Sequence, residues 1–229
     1  MVVTVDGPSG AGKSTVSRRL AAALGFAFLD TGALYRGVAL AAQWAGIPVA
    51  DEPRVAAWLT RLDLTAQPRG GLFLVLLEGR DVEPFIRNEE VAGLASRLSA
   101  QAAVRAHLLG LQRQAGRAGD LVAEGRDMGS VVFPRAEAKF FLTASPRERA
   151  RRRWRELSAQ DPSLTLAEVE ADLSERDRRD TRRSLSPLQK AADALLVDST
   201  AMDLEEVIGT MLREVRAHRE AGAGRKQPL

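Results

Sequence analysis

The chain has 229 residues, enough for one mid-sized domain or for a core carrying inserted subdomains. It has no cysteine and only two histidines, His107 and His218, which excludes disulfides, thiolate zinc centres and cysteine nucleophiles and argues against a His-rich metal site or a catalytic triad. The net charge is +3 and nearly all cations are arginine, whose planar fork suits phosphate; the 5% of aromatic residues do not interleave with them, which argues against a nucleic-acid stacking platform.

Val2–Asp6 is a short β-branched run, read as a buried strand. A glycine-rich turn follows. Lys13 to Leu24 then places Val16, Leu20, Ala23 and Leu24 on one helical face and stops at Gly25. Phe26–Leu29 reads as a second strand, and 32–45 as a helix ended by Gly46 and Pro48. Strand, turn, helix, strand at this spacing opens an α/β domain with a parallel sheet.

Residues 51–90 change character. A helix near 54–61 precedes Leu62-Asp63-Leu64 and Leu72–Leu77, which flank Pro68-Arg69-Gly70-Gly71; this predicts a small antiparallel hairpin insert. Residues 89–117 read as helix, broken near 100. Leu121-Val122-Ala123, Lys139–Thr143 and Ala194–Val197 supply three more core strands. Ser145-Pro146-Arg147-Glu148 and Thr165-Leu166-Ala167-Glu168 read as capping boxes, opening helices to about 158 and 182, with a break at Asp161-Pro162. A helix over 203–219 closes the chain, and 221–229 reads as a frayed tail. Trp44, Trp58 and Trp154 read as packing residues. No apolar run approaches the ~18 residues of a membrane span. Met1–Asp6 has no basic leader region, so a cytoplasmic location is expected.

Gly7-Pro8-Ser9-Gly10-Ala11-Gly12-Lys13-Ser14 fits G-x-x-x-x-G-K-[ST], placed between a strand and a helix. Glycines let backbone N–H groups turn inward around phosphate oxygens, and the helix N-terminus adds partial positive charge. Lys13 suits the β- and γ-phosphates, and the Ser14 hydroxyl suits a Mg²⁺ carried by them. The motif identifies a phosphate-binding loop without separating a kinase from a switch or a motor.

Further motifs narrow the reading. Gly7–Thr15, Leu29-Asp30-Thr31-Gly32-Ala33-Leu34-Tyr35-Arg36, Glu124-Gly125-Arg126-Asp127-Met128-Gly129-Ser130-Val131-Val132-Phe133-Pro134 and Asp193-Ala194-Leu195-Leu196-Val197-Asp198-Ser199-Thr200 stand in that order and closely resemble bacterial cytidylate kinase. The resemblance covers roughly residues 2–215. It implies an α/β P-loop kinase of three layers: a five-stranded parallel core sheet with helices on both faces, an inserted NMP-binding subdomain with a small antiparallel sheet, and a helical lid. The division it implies is core at 1–30, 119–144 and 185–220, NMP-binding region at 31–118 with its insert at about 58–90, and lid at 145–184.

The resemblance further implies transfer of the γ-phosphoryl group of ATP to CMP or dCMP, with Mg²⁺ bound alongside ATP. Gly7, Pro8, Ser9, Gly10, Ala11, Gly12, Lys13, Ser14 and Thr15 would bind the ATP phosphates. Thr31 and Arg36 would hold the acceptor phosphate. Ser96, Arg105 and Asp127 would face the cytosine, with Arg126 near the phosphates. Arg176, Asp180 and Arg183 would hold the sugar and help close the site. The family commonly has serine where Thr31 stands, and the hydroxyl is retained.

Several of these residues make chemical sense unaided. Arg36 stands about one helical turn past Thr31, so both can face one spot. Arg176, Asp180 and Arg183 form one helical stripe, though spacing alone equally fits an exposed salt-bridge ladder. Asp127 can accept from the exocyclic amine of cytosine while Arg105 donates to its carbonyl. Uracil puts a carbonyl opposite that carboxylate, which costs about 1–3 kcal/mol for an unpaired buried group. Arg147, Arg149, Arg151, Arg152, Arg153 and Arg155 cover every side of the lid helix; Arg152 and Arg153 are the candidates for the transferring phosphoryl group, and most of the others are expected to be solvated. Lys13, Arg126, Arg152 and Arg153 form the expected catalytic set. Glu-Gly-Arg-Asp occurs twice, at 78–81 and 124–127; the second copy continues into the family pattern, and the first reads as a loop at a hairpin end. The competing readings are another small-molecule kinase acting on UMP or a non-nucleotide acceptor, and a nucleic-acid-binding NTPase. With no heptad seam in view a monomer is expected, with ATP and CMP or dCMP as partners and neither nucleic acid nor membrane.

Overall fold

The structure is a computed structural model that describes residues 1–159 and 161–224. β1 (Val2–Asp6) leads through the phosphate-loop turn into α1 (Lys13–Leu24), and β2 (Ala27–Asp30) leads directly into α2 (Thr31–Trp44). α3 (Glu52–Leu59) precedes β3 (Leu64–Arg69), β4 (Leu72–Leu77) and the two-residue β5 (Arg80–Asp81). α4 (Glu89–Leu98) and α5 (Ala102–Arg117) are followed by β6 (Leu121–Gly125), a π-helical turn at Met128–Val132, and β7 (Ala138–Thr143). α6 (Pro146–Leu157), α7 (Leu166–Arg182), β8 (Leu195–Asp198) and α8 (Leu204–Gly224) complete the chain.

All strands join one sheet in the order β3-β4-β2-β6-β1-β7-β8, with β5 paired to β4. The five strands from β2 to β8 pair in parallel. β1 lies in the middle, so the loop after it opens at the carboxyl edge of the sheet, where such folds bind ligands. Alternate residues of β2 and β6 serve the two faces. Leu29, Leu121 and Ala123 pack toward α2, α4 and α5, while Phe28 and Val122 pack toward α1 and α8. This is the three-layer arrangement that a doubly covered parallel sheet requires. α6 and α7 form a separate small cluster around Ala150, Val169 and Leu173.

Four details differ from the expectations. The antiparallel hairpin extends the core sheet, because Leu72 of β4 pairs with Phe28 of β2. Trp44 is 59% exposed at the end of α2, where it meets the equally exposed Phe85 edge-on. α8 also continues to Gly224, past the expected stop at 219; of the expected tail, residues 225–229 lie outside the described residues. Thr165 and Glu168 form a complete capping box, but Ser145 only accepts from Glu148 N–H, because the Glu148 carboxylate is taken by Arg151 and Arg152. Among the described residues no helix is long and apolar enough to cross a membrane.

Candidate active site

The loop after β1 is shaped by backbone that only glycine tolerates. At Gly7, with φ of 150°, a Cβ would fall 1.9 Å from the carbonyl oxygen of Leu142. Gly12 caps α1 with φ of 85°, which turns the chain into the helix. Lys13 folds back under the loop, where its Nζ donates to Pro8 O at 2.7 Å. Ser14 Oγ donates to Glu124 Oε1 at 2.5 Å, and Glu124 Oε2, also buried, has no partner among the described residues. Burial drives Lys13 down, helped by the nearby Arg126 charge and opposed by Glu124. Burial likewise drives Glu124 up, helped by Asp30 and opposed by Lys13. A bound polyanion would favour the charged ammonium.

A cavity of ≈ 320 Å³ opens above this loop. Ser9, Gly10, Gly12, Lys13, Ser14 and Thr15 form its floor. The start of α2 forms one wall. Asp30 caps that helix by accepting from Ala33 N–H at 2.9 Å, and its second oxygen accepts from Arg36 at 2.9 Å and from Arg87 at 2.8 Å. Burial raises the Asp30 carboxyl, but the two guanidinium groups outweigh it and bring it down to about 2. Thr31 Oγ1 donates to Glu124 O at 2.6 Å, and Arg36 keeps Nε unpartnered. Both line the cavity.

The far wall comes from α4, α5 and the segment after β6. Arg105 pairs with Asp127 and also donates to Ser99 O at 3.1 Å. Its guanidinium lies 5.8 Å over the Tyr35 ring, a cation–π distance. Asp127 is 3% exposed and makes no capping bond, so its carboxylate serves Arg105 rather than the turn that follows. Ser96 is buried beside them. The other Glu-Gly-Arg-Asp copy lies elsewhere: Glu78 and Gly79, both at positive φ, turn β4 into β5, and Arg80 and Asp81 are exposed.

α7 forms the roof. Arg176, Asp180 and Arg183 line the cavity, whereas Arg178 turns outward to Glu175 and Arg179 bridges Glu175 and Ser96 Oγ, at 3.4 Å from each. Arg126 ties roof to floor, with Nε donating to Asp180 at 2.9 Å and NH2 donating to Ser9 Oγ at 2.8 Å. Arg183 stands 3.8 Å from the same aspartate. Arg176 Nε is buried without a partner among the described residues. Burial, with Arg126 close by, lowers Arg176 to about 10. Arg126 and Arg183 thus contact one carboxylate with the Arg176 charge close by, an excess of positive charge that suits an anion.

The lid helix α6 divides its arginines in an unexpected way. Arg147, Arg151 and Arg155 are exposed, as expected. Arg149 is buried instead, donating to Ser9 O and Ala144 O and pairing with Asp177. Arg153 lines the main cavity and reaches Glu89 on α4 and Glu156 on its own helix. Arg152 does not line that cavity. Its guanidinium donates to Ser199 Oγ and Ser199 O, and it borders a second cavity of ≈ 370 Å³ between Gly10–Gly12, α6 and the 199–204 segment. Gly7, Pro8 and Ala11 do not line the main cavity, and Ala11 borders the second.

The sequence profile of the cytidylate kinase family matches residues 3–217. The chain belongs to the cytidylate kinase family. It is 47% identical over 215 residues to a cytidylate kinase of Syntrophotalea carbinolica, covering 94% of this chain and 92% of that protein. It is 48% identical over 216 residues to a cytidylate kinase of Geobacter sp. strain M21, at 94% and 93% coverage. Cytidylate kinase 1 of Haemophilus influenzae is 44% identical over 216 residues, covering 94% of each chain. Membership spans the loop, both walls and the roof of the cavity, so the site lies wholly within the part this cytidylate kinase family member shares with its relatives.

Asp30, Tyr35, Arg87 and Glu124 line the same cavity but were not singled out from the sequence. Glu124 had a readable signal: a carboxylate ending an apolar strand beside the phosphate-loop strand. Arg87 had none.

Proposed function

We propose that the chain transfers the γ-phosphoryl group of ATP to CMP, and to dCMP, giving CDP or dCDP and ADP. The observation that carries this reading is the single cavity joining the phosphate loop at one end to the buried Arg105–Asp127 pair at the other. The loop, Lys13 and Ser14 hold the ATP phosphates. The second cavity, bordered by Arg152, takes the ATP base. Thr31 and Arg36 hold the acceptor phosphate, Arg105, Asp127 and Ser96 read the cytosine, and Arg176, Asp180 and Arg183 hold the sugar. Residues 31–118 act as the acceptor region and 145–184 as the lid over a core of the remaining residues.

Mg²⁺ fits this site. Ser14 Oγ and the Glu124 carboxylate share a hydrogen bond, and Glu124 Oε2 has no protein partner, a hard oxygen set suited to that ion. When bound with ATP, the ion supplies positive charge to the β- and γ-phosphate oxygens.

The nucleophile is a CMP phosphate oxygen. Its second pKa is about 6, so no general base is needed at neutral pH. The barrier lies in bringing two polyanions together and in spreading charge over the transferring group. Lys13, Arg126 and Arg153 neutralise that charge from three sides, and Arg126 links the ATP loop to the roof. Closure of α6 and α7 excludes the water that would otherwise take the phosphoryl group. A coupled ADP-release assay with CMP, dCMP, UMP and AMP tests the reading. CMP and dCMP are the expected best acceptors, and absence of CDP from CMP and MgATP would overturn it.

A further inference from the structure

The turn at Met128–Val132 follows Asp127 directly and closes through two wide bonds. Val132 N–H donates to Asp127 O at 3.2 Å, and Phe133 N–H donates to Met128 O at 2.7 Å. Such π-helical turns are rare and recur at functional sites. A helical start leaves N–H groups without partners, and the residue before it usually caps them. Asp127 does not cap them, because its carboxylate faces Arg105.

Asp6, at the end of β1, does so instead. Met128 N–H donates to Asp6 Oδ1 and Gly129 N–H to Asp6 Oδ2, each at 2.8 Å. The approach depends on Gly129, where a Cβ would meet Thr4 Oγ1 at 3.0 Å and Lys139 Cδ at 3.2 Å. Asp6 is 4% exposed and lines neither cavity. At the other end of the turn, Arg113 donates from Nε to Val132 O at 3.3 Å and from NH2 to Val131 O at 3.2 Å. An anion at the start and a cation at the end complement the turn dipole. Arg113 stands two helical turns past Arg105 on α5. The same helix therefore presents Arg105 and fixes the segment that presents Asp127.

We propose that Asp6 and Arg113 are positioning residues for nucleobase selection, gripping the two ends of the 128–132 turn so that the Asp127 carboxylate meets the base in register with Arg105. This rests on the reading of Asp127 as the group that accepts from cytosine. Neither residue touches the substrate. Their effect passes through the backbone of the turn.

The test is steady-state kinetics of the full chain with CMP and UMP as acceptors, and with ATP varied separately. Asp6→Asn keeps the side-chain shape but turns one acceptor into a donor that opposes a backbone N–H. Arg113→Ala frees the carbonyl end from an exposed position and takes nothing out of either cavity. Each variant is expected to raise the KM for CMP about tenfold, as sub-ångström misplacement does. The UMP parameters and the KM for ATP stay near wild type, so the CMP-over-UMP ratio of kcat/KM falls by the same factor. If Asp6→Asn does not fold, Arg113→Ala decides alone. A folded variant that keeps the wild-type ratio overturns the inference, including one in which kcat drops alike for both acceptors. A wild-type protein without preference for CMP removes the underlying functional reading before any variant is compared.

Discussion

Asp180→Ala removes the one carboxylate around which Arg126, Arg176 and Arg183 gather. The Arg126–Asp180 contact is 2.9 Å, with side-chain exposures of 19% and 7%. Breaking a buried pair from one side costs about 3–5 kcal/mol, because the remaining charge stays desolvated. Arg126 keeps its bonds to Ser9 Oγ and Gly125 O, and the cavity admits water, which lowers the expected loss to about 2–3 kcal/mol. In a chain of this length each kcal/mol moves Tm by about 2–4 °C, so a fall of about 4–12 °C is expected. Calorimetric scans without nucleotide measure it. Inorganic phosphate should recover part of the loss, growing with the logarithm of its concentration above Kd, since it binds only the folded cluster. Replacing both partners, Arg126→Met with Asp180→Leu, should also recover part of it, because one stranded charge is gone. The reasoning is refuted if Asp180→Ala melts within about 1 °C of wild type, or if the double variant is no more stable than the single one.

Lys13→Ala should keep the wild-type far-ultraviolet circular dichroism while turnover of CMP with MgATP falls by orders of magnitude; near-normal turnover would remove Lys13 from the mechanism. Asp127→Ala should abolish the preference for CMP over UMP, whereas Asp81→Ala, on an exposed strand end, should leave it intact; acceptor kinetics showing equal loss in both would reverse the choice between the two Glu-Gly-Arg-Asp copies. Burial raises the Asp6 carboxyl from 3.8 to about 6, against the lowering effect of its two N–H donors. Between those values the folded protein holds a proton that the unfolded chain has released, so this group makes stability fall as pH rises through the window. Asp6→Asn removes that contribution, and denaturant titrations from about pH 4 to about pH 7 should show the variant gaining up to about 3 kcal/mol on wild type. Parallel stability curves would contradict it.

The fold was legible wherever local chemistry decides the backbone. β1 and α1 match their expected bounds because an apolar β-branched run meets a glycine turn, and because Gly12 and Gly25 both sit at positive φ. The hairpin was readable for a similar reason, with Gly70 and Gly71 at positive φ in its turn. The joining of that hairpin to the core sheet was not, since it rests on the single pairing of Phe28 with Leu72. The phosphate loop was readable as a contiguous motif. Most of the residues expected around it line one cavity, Arg152 excepted, but their network depends on partners far apart in the chain. Arg87 reaches Asp30 from 57 positions away. Arg149 was indistinguishable from its neighbours until the packing of α6 against the Ser9 loop turned it inward. Asp6 looked like the end of a strand, and only the fold brings the 128–132 turn over it.

Asp30 holds Arg36 from α2 and Arg87 from the segment before α4 on the same oxygen. An incoming phosphate therefore does not meet free guanidinium groups: it enters an exchange in which an internal carboxylate gives up, or shares, contacts it already has. Part of the attraction that counting arginines would suggest is spent in that swap. Calorimetry of acceptor binding should accordingly show a modest heat, and Asp30→Asn should tighten the hold on inorganic phosphate while leaving the product slower to depart.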